Sequence, residues 1–197
     1  MANLKDSQTI QNLINSFAGE SQARNRYTMF AGVANKEGYN QVAQVFLETA
    51  ENERLHAKEF YNRIALYLGE NRCEKFTVKA SYPVTLGDTY NNLLAAADGE
   101  HEEFVVLYKE AGEVADKEGF GEIAALFRNI GKVEDEHEKR YRKLAARVKN
   151  GTFFKRDHEV EWKCSKCGHV HRGTEAPKMC PICKHPQPYF EERIANY

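Results

Sequence analysis

From Ser7 to about Asn150, apolar residues recur at helical spacing among charged and amide positions, in a composition rich in Ala, Leu, Glu, Lys and Gln. That pattern predicts long helices. Lys36-Glu37-Gly38 and Lys117-Glu118-Gly119 each end one of them, with glycine where a left-handed C-cap is wanted. Between roughly Leu68 and Thr85 the periodicity gives way to a longer connection containing Gly69, Pro83 and β-branched residues, after which Thr85 or Asp88 can cap the third helix. The fold class expected is mainly α: four helices as two hairpins, joined by a long crossover. After Lys149-Asn150-Gly151 the helical pattern stops, and Gly151 to Glu159 reads as a polar linker with two exposed aromatics, Phe153 and Phe154. The expected organisation is a bundle over residues 1–150, a linker at 151–157 and a small second domain at 158–197.

The two hairpins look like copies of each other. A shift of 81 puts Tyr27 on Tyr108, Lys36-Glu37-Gly38 on Lys117-Glu118-Gly119, Phe46 on Phe127, Glu53 on Glu134 and His56 on His137. A shared fold accounts for the aligned Phe, Lys and Gly, but not for Glu and His recurring three apart on both second helices. Glu-x-x-His puts a carboxylate and an imidazole on one helix face. A single such pair is ordinarily solvated on a charged helix; two at equivalent positions point to a shared metal cluster.

Hairpin geometry supports this, because residues equally far from a turn lie at one level. Glu20 is 18 residues before Gly38 and Glu53 is 15 after it, while Glu103 is 16 before Gly119 and Glu134 is 15 after. At about 1.5 Å per residue these heights agree to within a turn. The helices therefore offer Glu20, Glu53 with His56, Glu100 or Glu103, and Glu134 with His137, the arrangement of di-iron and di-manganese carboxylate bundles.

The third helix breaks the repeat, since the same shift maps Glu20 onto His101. Of the nearby carboxylates, Glu100 and Glu103 share a face and Glu102 points away. One extra residue between Glu100 and Tyr108, accommodated as a π-bulge, restores the alignment, and a regular hydrogen-bond ladder through residues 98–110 would refute it. His101, on a Glu-rich helix, is expected at the surface. Tyr27 and Tyr108 lie about two turns beyond the ligand level, either as core aromatics or as donors to a ligand carboxylate or bound peroxide.

Composition changes the picture at the C-terminal end. Four of the five cysteines fall between Cys164 and Cys183, whereas residues 1–150 have only Cys73 and Pro83. Cys164-x-x-Cys167 and Cys180-x-x-Cys183, separated by twelve residues, form two knuckles that bind one metal tetrahedrally. Spacing does not decide between zinc and iron; flanking Trp162, Tyr189 and Phe190, and the need of a dimetal bundle for electrons, favour iron. With four thiolates completing the site, His169, His171 and His185 read as surface residues, and Cys73 as a reduced structural thiol. A formal net charge of −1 with intermixed signs gives no field for nucleic acid or anionic lipid. The N-terminus lacks an apolar signal core and no stretch approaches 18 consecutive apolar residues, so a soluble cytoplasmic protein without membrane insertion is expected.

These residues together resemble the rubrerythrin family over essentially the whole chain: Gly19-Glu20-Ser21-Gln22-Ala23-Arg24-Asn25-Arg26-Tyr27, Glu53-Arg54-Leu55-His56, Gly99-Glu100-His101-Glu102-Glu103, Glu134 with His137, and the two rubredoxin-like knuckles. The resemblance implies a ferritin-like bundle with a di-iron centre on Glu20, Glu53, Glu100, Glu103, Glu134 and His137, with the His56 position exchanging with the Glu103 position as a ligand when the oxidation state changes. It further implies a mononuclear Fe(Cys)4 site, reduction of hydrogen peroxide to water, and electrons from NAD(P)H through rubredoxin or a separate oxidoreductase. A head-to-tail homodimer, in which one subunit's knot serves the other's bundle, belongs to the same implication. No dinucleotide fingerprint is present, so NAD(P)H is not expected to bind directly. Two other classes fit parts of the pattern: a ferroxidase that handles iron, and a zinc ribbon that binds a partner protein.

Overall fold

The computed structural model describes residues 4–69 and 73–194. After a 3-10 turn, Leu4–Asp6, helix α1 spans Gln8–Lys36, its N-cap Ser7 accepting from the Ile10 amide at 3.2 Å. Helix α2 spans Asn40–Leu68, and the two pack together as the first hairpin. Helices α3 (Thr89–Glu102) and α4 (Tyr108–Lys117) pack along α5 (Gly121–Lys149) as the second. Gly38 and Gly119 stand in the left-handed region at φ 82° and 85°, as the two turns require. Asp88, not Thr85, caps α3, accepting from the Asn91 amide at 2.8 Å.

Between α3 and α4 the chain makes a π-helical turn over Glu103–Leu107, where the broken repeat called for an extra residue. A shift of 80 relates Thr9 to Thr89 and Glu20 to Glu100; from Tyr27 and Tyr108 onward the shift is 81. The bulge thus keeps both halves of the long third helix in register with the first.

The repeated Lys-Glu-Gly turns do more than end helices. Glu118 accepts from the Gln8 amide (2.9 Å), the Thr9 amide (2.8 Å) and the Thr9 hydroxyl (2.5 Å) at the start of α1. Glu37 accepts from the Thr89 amide (2.9 Å) at the start of α3. Each hairpin's turn supplies a carboxylate to the other's first helix, where unpaired N–H groups and the positive end of the dipole both favour it.

Two aromatic clusters flank the bundle's middle: Tyr27, Phe30, Phe46 and Tyr141 on one side, and Phe60, Tyr108 and Phe127 on the other. Full burial of each ring contributes roughly 1.5–3 kcal/mol, which offsets the cost of the charged layer between them. The crossover, residues 73–88, has no helix or strand and runs along α1. Asn15 pairs with the Lys79 backbone in both directions (3.0 and 2.9 Å), and the Tyr82 hydroxyl donates to Asn15 O at 2.7 Å. Cys73 is exposed, so it plays no part in the core.

Strands β1 (Lys155–Cys164), β2 (Val170–Glu175) and β3 (Phe190–Glu192) form an antiparallel sheet with β1 central. Here the linker reading needs correction. β1 begins at Lys155, inside the stretch taken as linker, and Phe153 is only 5% exposed. Its ring meets Tyr39 edge-on at 5.1 Å, and Phe154 stacks on Tyr39 at 6.3 Å. The aromatics that looked exposed had a partner in the first hairpin's turn and fasten the sheet to that end of the bundle. Glu192 adds a polar clasp, lying 3.4 Å from Arg147 of α5 and 2.5 Å from Arg156 of β1. Among the described residues no helix is long and apolar enough to cross a membrane.

Candidate metal centres

At mid-height the four helices bring two overlapping groups together: Glu20, Glu53, His56 and Glu134, and Glu53, Glu100, Glu134 and His137, with donor atoms in each group within 4.8 Å of one another. His56 Nδ1 lies 2.8 Å from Glu53 and 3.0 Å from Glu134. His137 Nδ1 lies 2.9 Å from Glu134 and 3.4 Å from Glu53. The two imidazoles face each other at 6.2 Å, one from each Glu-x-x-His. Both tyrosines reach this layer: the Tyr27 hydroxyl donates to Glu100 Oε1 at 2.6 Å, and the Tyr108 hydroxyl donates to Glu20 Oε1.

Glu103 stands apart. It belongs to neither group and is partly buried in the wall of a cavity of about 520 Å³ that opens between α1, the crossover and the π turn. His56, by contrast, belongs to the layer. Glu102 is exposed, and so is His101, which pairs with Glu138 at 2.9 Å.

Glu20, Glu53, Glu100 and Glu134 are at most 1% exposed. Yet Glu20 Oε2, Glu53 Oε1, Glu100 Oε2, both Glu134 oxygens and His137 Nδ1 lack a hydrogen-bond partner. A buried unsatisfied polar atom costs about 1–3 kcal/mol, so convergence of this many marks atoms kept free for metal. Burial, then Glu103, pushes the Glu20 carboxyl well above the usual range; burial, then Glu53, raises Glu100. Burial opposes charging of the histidines, but the neighbouring Glu134 and Glu53 carboxylates bring His56 up to about 9, and those of Glu100, Glu134 and Glu53 bring His137 up to about 12. Such a layer draws in positive charge, and carboxylate with imidazole suits iron or manganese.

In the small domain Cys164 Sγ lies 3.7 Å from Cys183 Sγ, and Cys167 Sγ 3.6 Å from Cys180 Sγ. Each knuckle closes the same way: Gly168 N donates to Cys164 O at 2.9 Å and Lys184 N to Cys180 O at 3.0 Å. The residue after each second cysteine is left-handed, Gly168 at φ 76° and Lys184 at φ 61°. Burial opposes ionisation of Cys180, but the Cys183 and Ile182 amides directed at its sulfur bring it down to about 6. The histidines need correction. His169, His171 and His185 are partly buried, and His185 Nδ1 lies 3.3 Å from Cys183 Sγ. Its sequence distance of two from a ligand was the signal that pointed to it.

A layer of carboxylates and histidines from four helices, carried in one chain with a four-thiolate knot, defines a ferritin-like dimetal protein with its own rubredoxin-like domain. The model of the rubrerythrin family matches residues 11–145, and that of the rubrerythrin rubredoxin-like domain matches residues 162–191. The chain belongs to the rubrerythrin family. It is 51% identical to rubrerythrin-1 of Clostridium acetobutylicum over 100% of both chains, and 51% identical to the rubrerythrin of Porphyromonas gingivalis over 98% of this chain and 94% of that one. Among solved structures it is similar to nigerythrin in a mixed-valence state, with TM-score 0.62 at 30% identity over 95% of this chain and 90% of that one. A bacterioferritin of Desulfovibrio desulfuricans, solved for its di-iron site, gives TM-score 0.64 at 25% identity over 73% and 81%. The Glu/His cluster is therefore a di-iron carboxylate site, and Cys164, Cys167, Cys180 and Cys183 form the rubredoxin-like iron site.

Proposed function

We propose that the protein is a non-haem peroxidase that reduces hydrogen peroxide to water in the cytoplasm. The observation that carries this reading is the iron–cysteine knot in the same chain as the di-iron bundle: a store for iron needs no built-in source of single electrons, whereas a reductase does. When bound, the two irons supply two electrons to hydrogen peroxide, which with two protons gives two waters, and the knot iron restores them one at a time. The catalytic bundle is residues 1–150, followed by an electron-delivering domain whose first strand begins at Lys155.

Glu20, Glu53, Glu100, Glu134 and His137 hold the metals, with His56 and Glu103 as the remaining ligands. Tyr27 and Tyr108 hold Glu100 and Glu20 in place through their hydroxyls. The cavity beside Glu103 and Tyr108 admits a solute as small as peroxide. Electrons originate from NAD(P)H and arrive through rubredoxin or a separate oxidoreductase. The small domain packs on the first hairpin's turn, Phe153 against Tyr39 and Pro188 beside Gly38, and Glu53 is 15 residues beyond Gly38, roughly 22 Å along α2 at 1.5 Å per residue. That span supports a head-to-tail homodimer in which the partner subunit's knot serves each bundle.

Stopped-flow reoxidation of the reduced protein tests the reading: fast turnover with peroxide and slow turnover with oxygen is expected. The likeness to a bacterioferritin favours iron oxidation as the second reading, and fast oxygen turnover with little peroxide activity would establish that instead. The visible absorption of a ferric–thiolate knot should be present as isolated; a colourless C-terminal domain would remove the electron source.

A further inference from the structure

The cavity beside Glu103 is larger than hydrogen peroxide requires. Its volume of about 520 Å³ falls within the range of about 300–1,000 Å³ found for sites that hold organic ligands, whereas a water in the liquid fills only roughly 30 Å³. Its lining follows α1 from Gln8 to Arg26, a run of 18 residues or about 27 Å at 1.5 Å per residue. Glu103 and Tyr108 belong to the wall, and the Tyr108 hydroxyl donates to Glu20, so a molecule lodged there meets the edge of the metal-binding layer.

The roof over this groove is preformed. Crossover residues 79–83 lie across it, with the Lys79 backbone fastened to the Asn15 side chain at 2.9 and 3.0 Å and the Tyr82 hydroxyl to Asn15 O at 2.7 Å. The Tyr82 ring rests on Gly19, where a Cβ would stand 3.4 Å from its Cε1. Tyr82, Pro83, Leu107 and Val114 make part of the wall apolar. Glu102, Glu103 and Glu110 outnumber Arg26 and Lys79 in it, which disfavours an anion. Arg26 is 6% exposed and its Nε lacks a partner, which leaves a buried N–H for an oxygen acceptor. A neutral molecule with an apolar body and an accepting oxygen satisfies all of these demands.

We propose that the cavity is a substrate site for small organic hydroperoxides, ROOH, with the organic group seated against Tyr82 and Leu107 and the peroxide end directed at the layer. The proposal rests on the peroxidase reading and extends its substrate class. The step balances as it does for hydrogen peroxide: the O–O bond breaks, two electrons come from the two ferrous ions, and two protons turn the separated oxygens into one alcohol and one water. The organic group takes no part in the bond breaking, so what the protein must add is room for it.

The test compares stopped-flow reoxidation of the reduced, iron-loaded, full-length protein by tert-butyl hydroperoxide and by hydrogen peroxide, with tert-butanol formed counted against electrons consumed. Wild type is expected to use the organic peroxide with a kcat/KM within about a hundredfold of that for hydrogen peroxide. S81W and L107W fill the cavity from exposed positions on the crossover and the π turn, and each is expected to lose at least about tenfold more with the organic peroxide than with hydrogen peroxide. Saturation-transfer NMR of tert-butanol on the zinc-loaded full chain reads binding apart from turnover: contact is expected in wild type and is lost in both variants. No contact in wild type, an organic peroxide slower than that hundredfold margin, or equal losses for the two peroxides in both variants overturns the proposal. Hydrogen peroxide turnover without the organic reaction defeats this inference alone, whereas inertness to both peroxides with fast oxygen turnover defeats the peroxidase reading and this inference with it.

Discussion

Glu118 is the point at which one side chain ties the end of the second hairpin's first leg to the start of the chain. Glu118→Ala removes three hydrogen bonds at 2.5–2.9 Å and leaves the Gln8 and Thr9 amides unpaired at the first turn of α1. Loss of a helix cap costs about 0.5–2 kcal/mol, and loss of a negative charge at a helix N-terminus about 0.3–1 kcal/mol. Together about 2 kcal/mol is expected, or roughly 4–8 °C in melting temperature for a chain of this size. Charge contributes separately from shape. Burial works against ionisation of Glu118, but the Thr9 hydroxyl and the Gln8 and Thr9 amides outweigh it and hold the carboxyl below its usual value. A depressed folded value means stability present above the unfolded value of about 4.5 and lost as pH falls through the folded one. Urea unfolding of wild type, Glu118→Gln and Glu118→Ala, in matched metal states, should therefore show a gap that is constant near neutrality and narrows below about pH 4.5. Coincident curves for wild type and Glu118→Ala, within about 0.5 kcal/mol as for an ordinary surface change, would refute the latch.

Tyr27→Phe and Tyr108→Phe each remove a donor from a buried carboxylate, a loss of about 1.5–3 kcal/mol, so iron retention against a chelator should weaken by about tenfold or more; retention equal to wild type would separate the tyrosines from the site. Lys184→Gly relieves a left-handed non-glycine residue at φ 61° and should stabilise the knot by about 1 kcal/mol, read as slower iron release to a chelator. Faster release would show that the lysine's own contact with Pro181 O matters more. Phe153→Ala empties a buried site against Tyr39 at a cost of roughly 3 kcal/mol and should speed proteolysis after Asn150 while leaving the bundle helical; unchanged cleavage would mean that Phe154 and Glu192 hold the sheet without it.

The bundle was legible because its functional residues repeat. Equal shifts for Glu53 and Glu134 and for His56 and His137, combined with heights counted from two glycine turns, located the layer before any coordinates. The π turn was legible for the same reason, as a register that failed at one helix and recovered at Tyr108. What escaped was contact between distant segments. Glu37 and Glu118 carried a signal, the Thr9 and Thr89 partners spaced alike, yet local propensity explains a Lys-Glu-Gly end without them. Phe153 looked exposed because its neighbours are polar, and its partner Tyr39 lies over a hundred residues away. Spacing left Glu100 and Glu103 both open as candidates, since it records which face a residue shares and not which rotamer it takes; the structure sends one into the layer and the other to the cavity.

The single extra residue in the π turn has a further consequence, which concerns symmetry. A dimer of identical hairpins would carry any insertion twice, and its two metal positions would stay equivalent through every mutation. Fusing the hairpins through the crossover at residues 73–88 frees one half to change alone. The insertion then breaks the two-fold relation between the halves where Glu103 stands. Distinct irons in one site are thus a property that a single polypeptide can encode and a homodimer of its halves cannot.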